Sequence, residues 1–249
     1  MAEYDNRVRS YNATAATAVD EGLRAYMLRV YNYMLMGLGL TGATAWLAAE
    51  TPLRQLFFQA TPAGGVTLNM LGWVALFAPI GLVFWLSWRI QRMSFATAQG
   101  VFWLYAGLMG IGLAPVLLLY TGGSIAQVFF ITAATFGAMS LWGYTTHRDL
   151  TGFGSFLFMG LIGIIIASVV GVFWHSSALQ WMISVAGVVI FTGLTAYDTQ
   201  TIKESYYVGD DGAIAGKKAI MGALRLYLDF VNLFLMLLRF TGNRRNDWR

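Results

Sequence analysis

Phe153-Gly-Ser-Phe-Leu-Phe-Met-Gly-Leu-Ile-Gly-Ile-Ile-Ile-Ala-Ser-Val-Val-Gly-Val-Phe-Trp174 runs without one charged residue. A bilayer core of about 30 Å is crossed by a helix of about 20 such residues. Working outward from it, the same pattern recurs as Tyr26 to Ala49, Leu68 to Trp88, Ala98 to Tyr120, Ile125 to Thr146, Leu179 to Ile202 and Ala219 to Phe240. The connections Tyr120 to Ser124, His147 to Gly152 and His175 to Ala178 are too short for anything but antiparallel neighbours. Composition agrees: 57% of the 249 residues are hydrophobic and 11% charged, against about 25% charged in a soluble domain. Mean hydropathy is +0.60. The expectation is an all-α integral membrane protein, a seven-helix bundle forming one domain over residues 26–240. A cytoplasmic tail (1–25) precedes it and a basic tail (241–249) follows.

The chain has no cysteine, which excludes disulfides, thiolate metal sites and a cysteine nucleophile. Met1 to Leu23 carries charges and no apolar h-region, so it reads as a tail rather than a cleavable signal. Gly37, Gly39 and Gly42 spell a dinucleotide-binding pattern, but inside an apolar helix with no strand before it. The net charge of +4 lies in the links and at the ends, where it marks topology rather than nucleic-acid binding. Arg7, Arg9, Arg24, Arg89, Arg92, Arg148, Lys203, Lys217 and Lys218 fall on one side, and Arg54 on the other. That bias places the N-terminus in the cytoplasm and, after seven crossings, leaves Arg244, Arg245 and Arg249 on the wrong side. The last segment offers a resolution, because its clean stretch Leu226 to Leu238 spans only about 20 Å. Either the other helices enclose it or it bends back without crossing.

Aromatic residues near segment ends (Trp46, Trp73, Trp85, Trp88, Trp103, Tyr105, Tyr120, Trp142, Tyr144, Trp174, Trp181) read as interfacial belts. Small residues four apart, at Gly163, Ala167 and Gly171 and at Ala133 and Gly137, read as places of close helix approach.

Ionisable residues inside membrane segments are costly and therefore informative. Asp198 lies late in the sixth segment and Asp229 inside the seventh. Consecutive antiparallel helices can bring both to the cytoplasmic end. Two carboxylates in a low-dielectric site do not both ionise freely, so they would share a proton and titrate as a unit. Ionised, they would attract a hard cation such as Ca²⁺, though only weakly, since Ca²⁺ takes about six to eight oxygens. The plainer reading is a structural ion pair between Asp229 and Arg225, one helical turn apart. Arg89 and Arg92 either mark topology or turn inward as a cation partner. His147 and His175 fall on opposite sides and cannot form one metal site. Asp210-Asp211-Gly212 reads as a turn in a Lys203 to Lys218 loop. Neither a Ser/His/Asp arrangement nor a phosphate loop is present, so the chain is not expected to be an enzyme.

Gly193-Leu-Thr-Ala-Tyr-Asp-Thr-Gln-Thr-Ile202 and Ala223-Leu-Arg-Leu-Tyr-Leu-Asp-Phe-Val-Asn-Leu-Phe-Leu-Met-Leu-Leu-Arg-Phe240 closely resemble the signature ends of the Bax inhibitor (transmembrane Bax inhibitor motif) family. Arg92-Met-Ser94, Ala98-Gln99 and Phe102-Trp-Leu-Tyr105 resemble its bacterial, YccA/YbhL-like branch. The resemblance implies a fold in which two layers of three helices enclose the last helix. It also implies a pH-sensitive Ca²⁺ leak channel of the bacterial inner membrane, with Asp198 and Asp229 as paired sensor and gate. Arg92, or else Arg89, would be the arginine latch, and Arg239 matches a further family arginine. No cofactor is implied beyond weakly bound Ca²⁺ at the aspartates. The expected partners are the lipid bilayer, Ca²⁺ and protons. Some bacterial relatives modulate a membrane-bound protease, so a non-channel regulatory role stands as the alternative. The Lys203 to Lys218 loop looks longer than in compact members, which bears on the height at which the aspartates meet.

Overall fold

The computed structural model describes residues 2–60, 66–174 and 176–245, with the side chains of 2–19, 60 and 66 left aside. His175 and the end of the basic tail (246–249) lie outside the described residues. The helices are α1 (Ala2–Glu50), the single turn α2 (Arg54–Phe57), α3 (Met70–Arg89, continued by a 3₁₀ turn at Ile90–Arg92), α4 (Phe95–Leu119), α5 (Gly122–Thr145), α6 (Thr151–Phe173), α7 (Ser177–Glu204) and α8 (Gly212–Thr241). Polar side chains cap most of the spans at their N-termini: Asn69, Ser94, Thr121, Ser176 and Asp211 each accept from a backbone N–H in the first turn. Such caps satisfy donors that a helix start leaves unpaired. Between α2 and α3 a hairpin pairs β1 (Phe58–Ala60) with β2 (Val66–Leu68), Phe58 opposite Leu68, a small departure from the all-α expectation.

Among the described residues six helices, α3 to α8, are long and apolar enough to cross a membrane. The seventh expected span is part of α1, whose backbone is helical from Ala2 and includes the expected tail. Chain order and packing divide the outer helices into two sets, α1, α3, α4 and α5, α6, α7, with α8 between them. The last helix is the most buried span, 61% against 11% for α6. It is walled by α1, α4, α5 and α7, however, and not by all six others: α3 packs mainly on α4, and α6 on α7.

α8 does not bend back. It is one continuous helix of 30 residues, about 45 Å long. Near its start, Lys218 donates to the Ser205 carbonyl beyond α7, while Tyr26 of α1 hydrogen-bonds the Ser205 hydroxyl. Past its other end, Arg245 N–H donates to the Leu119 carbonyl and its guanidinium lies 3.9 Å from Glu50. Glu50 and Leu119 end α1 and α4, so α8 runs the full height of the bundle. Its clean apolar stretch is short because neighbouring helices, rather than lipid, cover most of it.

Two further expectations are corrected. Tyr105, Tyr120 and Trp103 are not belt residues, for the first two are buried and Trp103 packs against the core beside Phe102 and Tyr33. Nor do the small-residue stripes mediate close packing: a Cβ added at Gly163 or Gly137 would meet nothing within 4 Å. The close approaches occur elsewhere. At Gly110 of α4 a Cβ would lie 2.3 Å from the Thr41 carbonyl oxygen of α1, and at Gly143 of α5 it would lie 2.2 Å from the Ala196 carbonyl oxygen of α7. The supposed long loop is mostly helix, leaving only residues 205–211 between α7 and α8, with Asp211 as the α8 cap and Asp210 paired to Lys218.

Candidate functional site

Asp198 sits on α7 six residues before its end at Glu204, about 9 Å into the bundle. Asp229 lies on the neighbouring stretch of α8 and its carboxyl meets that of Asp198. Three local features hold α7 here. Gly143 lets α5 touch the backbone of α7 at Ala196, two residues from Asp198. The Thr199 hydroxyl lies 3.0 Å from that of Ser140 on α5, which lies 2.6 Å from Tyr31 Oη on α1, a rope of hydroxyls joining three helices. Gln200, buried, accepts from Leu150 N–H and donates to the Arg148 carbonyl, tying the start of α6 to α7. Sequence reasoning passed over Tyr31, Ser140, Thr199 and Gln200; their signal was polarity at interior positions of apolar spans.

The cation at the pair is Arg225. It does not pair with Asp229 one turn along its own helix. Its Nη1 instead reaches across to Asp198 Oδ1 at 3.9 Å, with half of the Arg225 side chain still exposed. Asp229 is only 4% exposed, and its Oδ2 has no hydrogen-bond partner. A buried carboxylate oxygen without a donor is an expensive group that invites a proton, a cation or a donor ligand. Asn232, a turn further on, donates its amide to the Leu228 carbonyl.

The other arginines are placed elsewhere. Arg92 and Arg89 end α3 as exposed residues, Arg89 over the Trp88 ring, and among the described ion pairs neither reaches the aspartates. Arg239 belongs to the opposite end of α8, by Gln180 and Trp181. His147 is an exposed residue of the α5–α6 link. Among the described residues no three His, Asp or Glu side chains gather as a metal site.

The pair faces a groove of about 1150 Å³ between α6 and α8, floored by α7. Ser168 and Val172 are shared with a second recess of about 690 Å³ that reaches Arg239 and Arg244. Arg225 is shared with a third, of about 360 Å³, lined by Lys217, Lys218 and Ser205. A chain of recesses thus follows α8 from one end of the bundle to the other, with the aspartates beside it. The charged groups facing the main groove are Asp198 from α7 and Arg225 and Asp229 from α8, while α6 presents only apolar and hydroxyl side chains.

Residues 23–246 match the family model for the inhibitor of apoptosis-promoting Bax1. The chain is 50% identical over 228 residues to an uncharacterized protein of Rickettsia prowazekii, covering 91% of this chain and 93% of that one. It is 47% identical over 227 residues to the inner membrane protein YbhL of Escherichia coli K12, covering 90% and 94%. A Caulobacter vibrioides protein is 46% identical over 235 residues, covering 93% of both chains. A helical bundle built around its last helix, with the motif aspartates meeting on α7 and α8, is therefore a member of the Bax inhibitor family.

Proposed function

We propose that this protein is a non-enzymatic, proton-regulated Ca²⁺ leak of the bacterial inner membrane, crossing it seven times with α1 as the first span and the N-terminus in the cytoplasm. The observation that carries the reading is the meeting of Asp198 and Asp229 at the head of the groove along α8. Ionised carboxyls there draw a hard cation into a recess that continues toward both ends of the bundle, while Arg225 competes for the same oxygens. A proton on the pair weakens its hold on Arg225 and shifts closed and open populations, so flux increases toward acid pH. Orientation follows from the balance of charge, since Arg24, Arg89, Arg92, Arg148, Lys203, Lys217 and Lys218 stand at the aspartate end against Arg54, Arg239, Arg244 and Arg245 at the other, where Glu50 accompanies Arg245. Arg225 takes the latch position that Arg92 or Arg89 would occupy by resemblance. The inner-membrane location is supported by the relative YbhL, which bears it in its name.

The test is Ca²⁺ entry into dye-loaded proteoliposomes across about pH 6 to 8, for wild type, Asp198→Asn and Asp229→Asn. Flux that is pH-dependent in wild type and loses that dependence in both variants is expected. No flux above empty liposomes at any pH overturns the channel in favour of a partner-binding regulator, such as of a membrane protease, and an unaltered pH profile in the variants overturns the gate.

A further inference from the structure

The groove that holds the aspartates is built like a lipid site. α6 stands off α8, and the wall between them is apolar for most of its length: Phe158, Ile165, Val169 and Val172 from α6, Leu228 and Met236 from α8. Those four α6 residues are largely exposed, and α6 is the least buried span. In a bilayer an apolar recess open between helices fills with acyl chain rather than water, since it offers water no partners.

At one end the lining changes. Arg225 is half exposed and held to Asp198 only at 3.9 Å, so most of its fork of N–H donors is unspent. Beside it stand the Asp198 carboxyl and the unpartnered Oδ2 of buried Asp229. A guanidinium suits a phosphate and the carboxyls suit an ammonium that carries its own N–H donors. The cluster lies about 9 Å inside the end of α7, near the depth where a lipid's head meets its chains. From this juxtaposition we infer that the α6–α8 groove binds an aminophospholipid of the phosphatidylethanolamine type, its phosphate on Arg225, its ammonium on Asp198 and Asp229, and an acyl chain along α6. The lipid would compete with a cation for the same carboxyls and recess, and its test reads binding rather than ion passage, so failure of the one is distinguishable from failure of the other. A phosphatidylcholine ammonium has no N–H to give, and phosphatidylglycerol has no ammonium at all; each satisfies one half of the cluster.

The test is native mass spectrometry of the full-length protein, delipidated in mild detergent and titrated with phosphatidylethanolamine, phosphatidylcholine and phosphatidylglycerol of identical chains. Wild type is expected to prefer phosphatidylethanolamine by about tenfold, the ratio that about 1.4 kcal/mol gives. Asp198→Asn reduces that preference to none, while Arg225→Gln, which removes the contact all three phosphates share, weakens all three lipids, and Arg225→Lys retains part of that binding. Ser168→Phe, which puts bulk in the groove away from the charges, weakens all three lipids alike. If a neutralised variant does not fold, Arg225→Lys and Asp198→Glu carry the comparison. Equal binding of the three lipids by wild type, a preference that survives Asp198→Asn, or affinities that Arg225→Gln leaves unchanged overturn the site.

Discussion

On one side of α8 the helices meet at their backbones, and on the other they stand apart. Toward α1 and α4, Phe102, Tyr105 and Tyr227 pack edge to face with essentially no exposure. Gly110 there brings α4 against the Thr41 carbonyl, and the Thr41 hydroxyl lies 2.6 Å from Tyr227 Oη. Toward α6 the same central helix borders an open groove, and the chemistry-bearing residues Asp198, Arg225 and Asp229 all face it. Apolar surface has no solvent to flee inside a bilayer, so tightness comes from shape and hydrogen bonds, and helices part where those are missing. The sealed side therefore positions α8, and the open side leaves Arg225 and, in part, Asp198 reachable, with Asp229 buried behind them.

The largest expected effect breaks the sealed side. Gly110→Val puts a Cβ 1.9 Å from Thr44 Oγ1 and 2.3 Å from a backbone oxygen, neither of which a rotamer change of valine can avoid. Thermal unfolding in detergent should show a loss of about 3 kcal/mol. Gly163→Val on α6, where nothing lies within 4 Å, should change stability by no more than about 0.5 kcal/mol. Equal losses at the two glycines would end the distinction between the sides.

That pair also marks the limit of legibility. Most spans were readable because each apolar run is long and ends at a polar cap or charge, as at Ser94 and Thr121, whereas the first two turns of α8 after Asp211 carry Lys217 and Lys218 and read as loop. The aspartates were readable because acids inside such runs are rare and these two lie in consecutive helices. Glycine spacing was misleading: a small residue permits close approach, but which helix face turns inward depends on neighbours that are distant in sequence. Arg225 shows the same limit. One turn from Asp229, it reads as that residue's partner, and only the register of α8 against α7 sends it to Asp198. The helix expected from Tyr26 does end near Glu50, but it starts further back and, among the described residues, is not one of the six that are long and apolar enough to cross a membrane. Its hydropathy is diluted by Thr41 and Asn32, and for Thr41 the reason is a buried role toward α4 and α8.

A middling effect sharpens the comparison at the seam between the two sides. Gln200→Leu leaves Leu150 N–H and the Arg148 carbonyl without the partners that hold α6 to α7. Losing these bonds should cost about 2 kcal/mol. Because the tether lies beside the groove, the variant should also label faster at a cysteine placed at Ser155 than the same cysteine does in the parent. Unchanged labelling would mean that α6 keeps its place without the glutamine.

Tyr227→Phe removes one hydroxyl from the sealed side without changing its shape. Thr41 keeps the Gly37 and Ala106 carbonyls, both 2.9 Å from its Oγ1, as acceptors, so no buried donor is stranded. The expected loss is about 1 kcal/mol, read from the unfolding midpoint, and a loss as large as that at Gly110 would show that the hydrogen bond rather than backbone fit seals α8.

The smallest effect belongs to the open side, at the exposed head of α6. Asp149 receives the Thr151 hydroxyl and, at 2.8 Å, the Thr151 N–H, and these hold its carboxyl below the usual carboxylate range. A carboxyl depressed by folding supports the native state once pH exceeds its unfolded value, and that support is lost as pH falls through the folded one. The contribution is therefore present at neutral pH and disappears below about pH 4. Asp149→Asn should flatten the fall of the unfolding midpoint in that acid window and leave its value near pH 7 little changed, because an asparagine oxygen still accepts from Thr151. If the acid fall stayed as steep in the variant, the Asp149 carboxyl would carry none of it, and the start of α6 would rest on the Gln200 tether and on its packing against Tyr197 of α7.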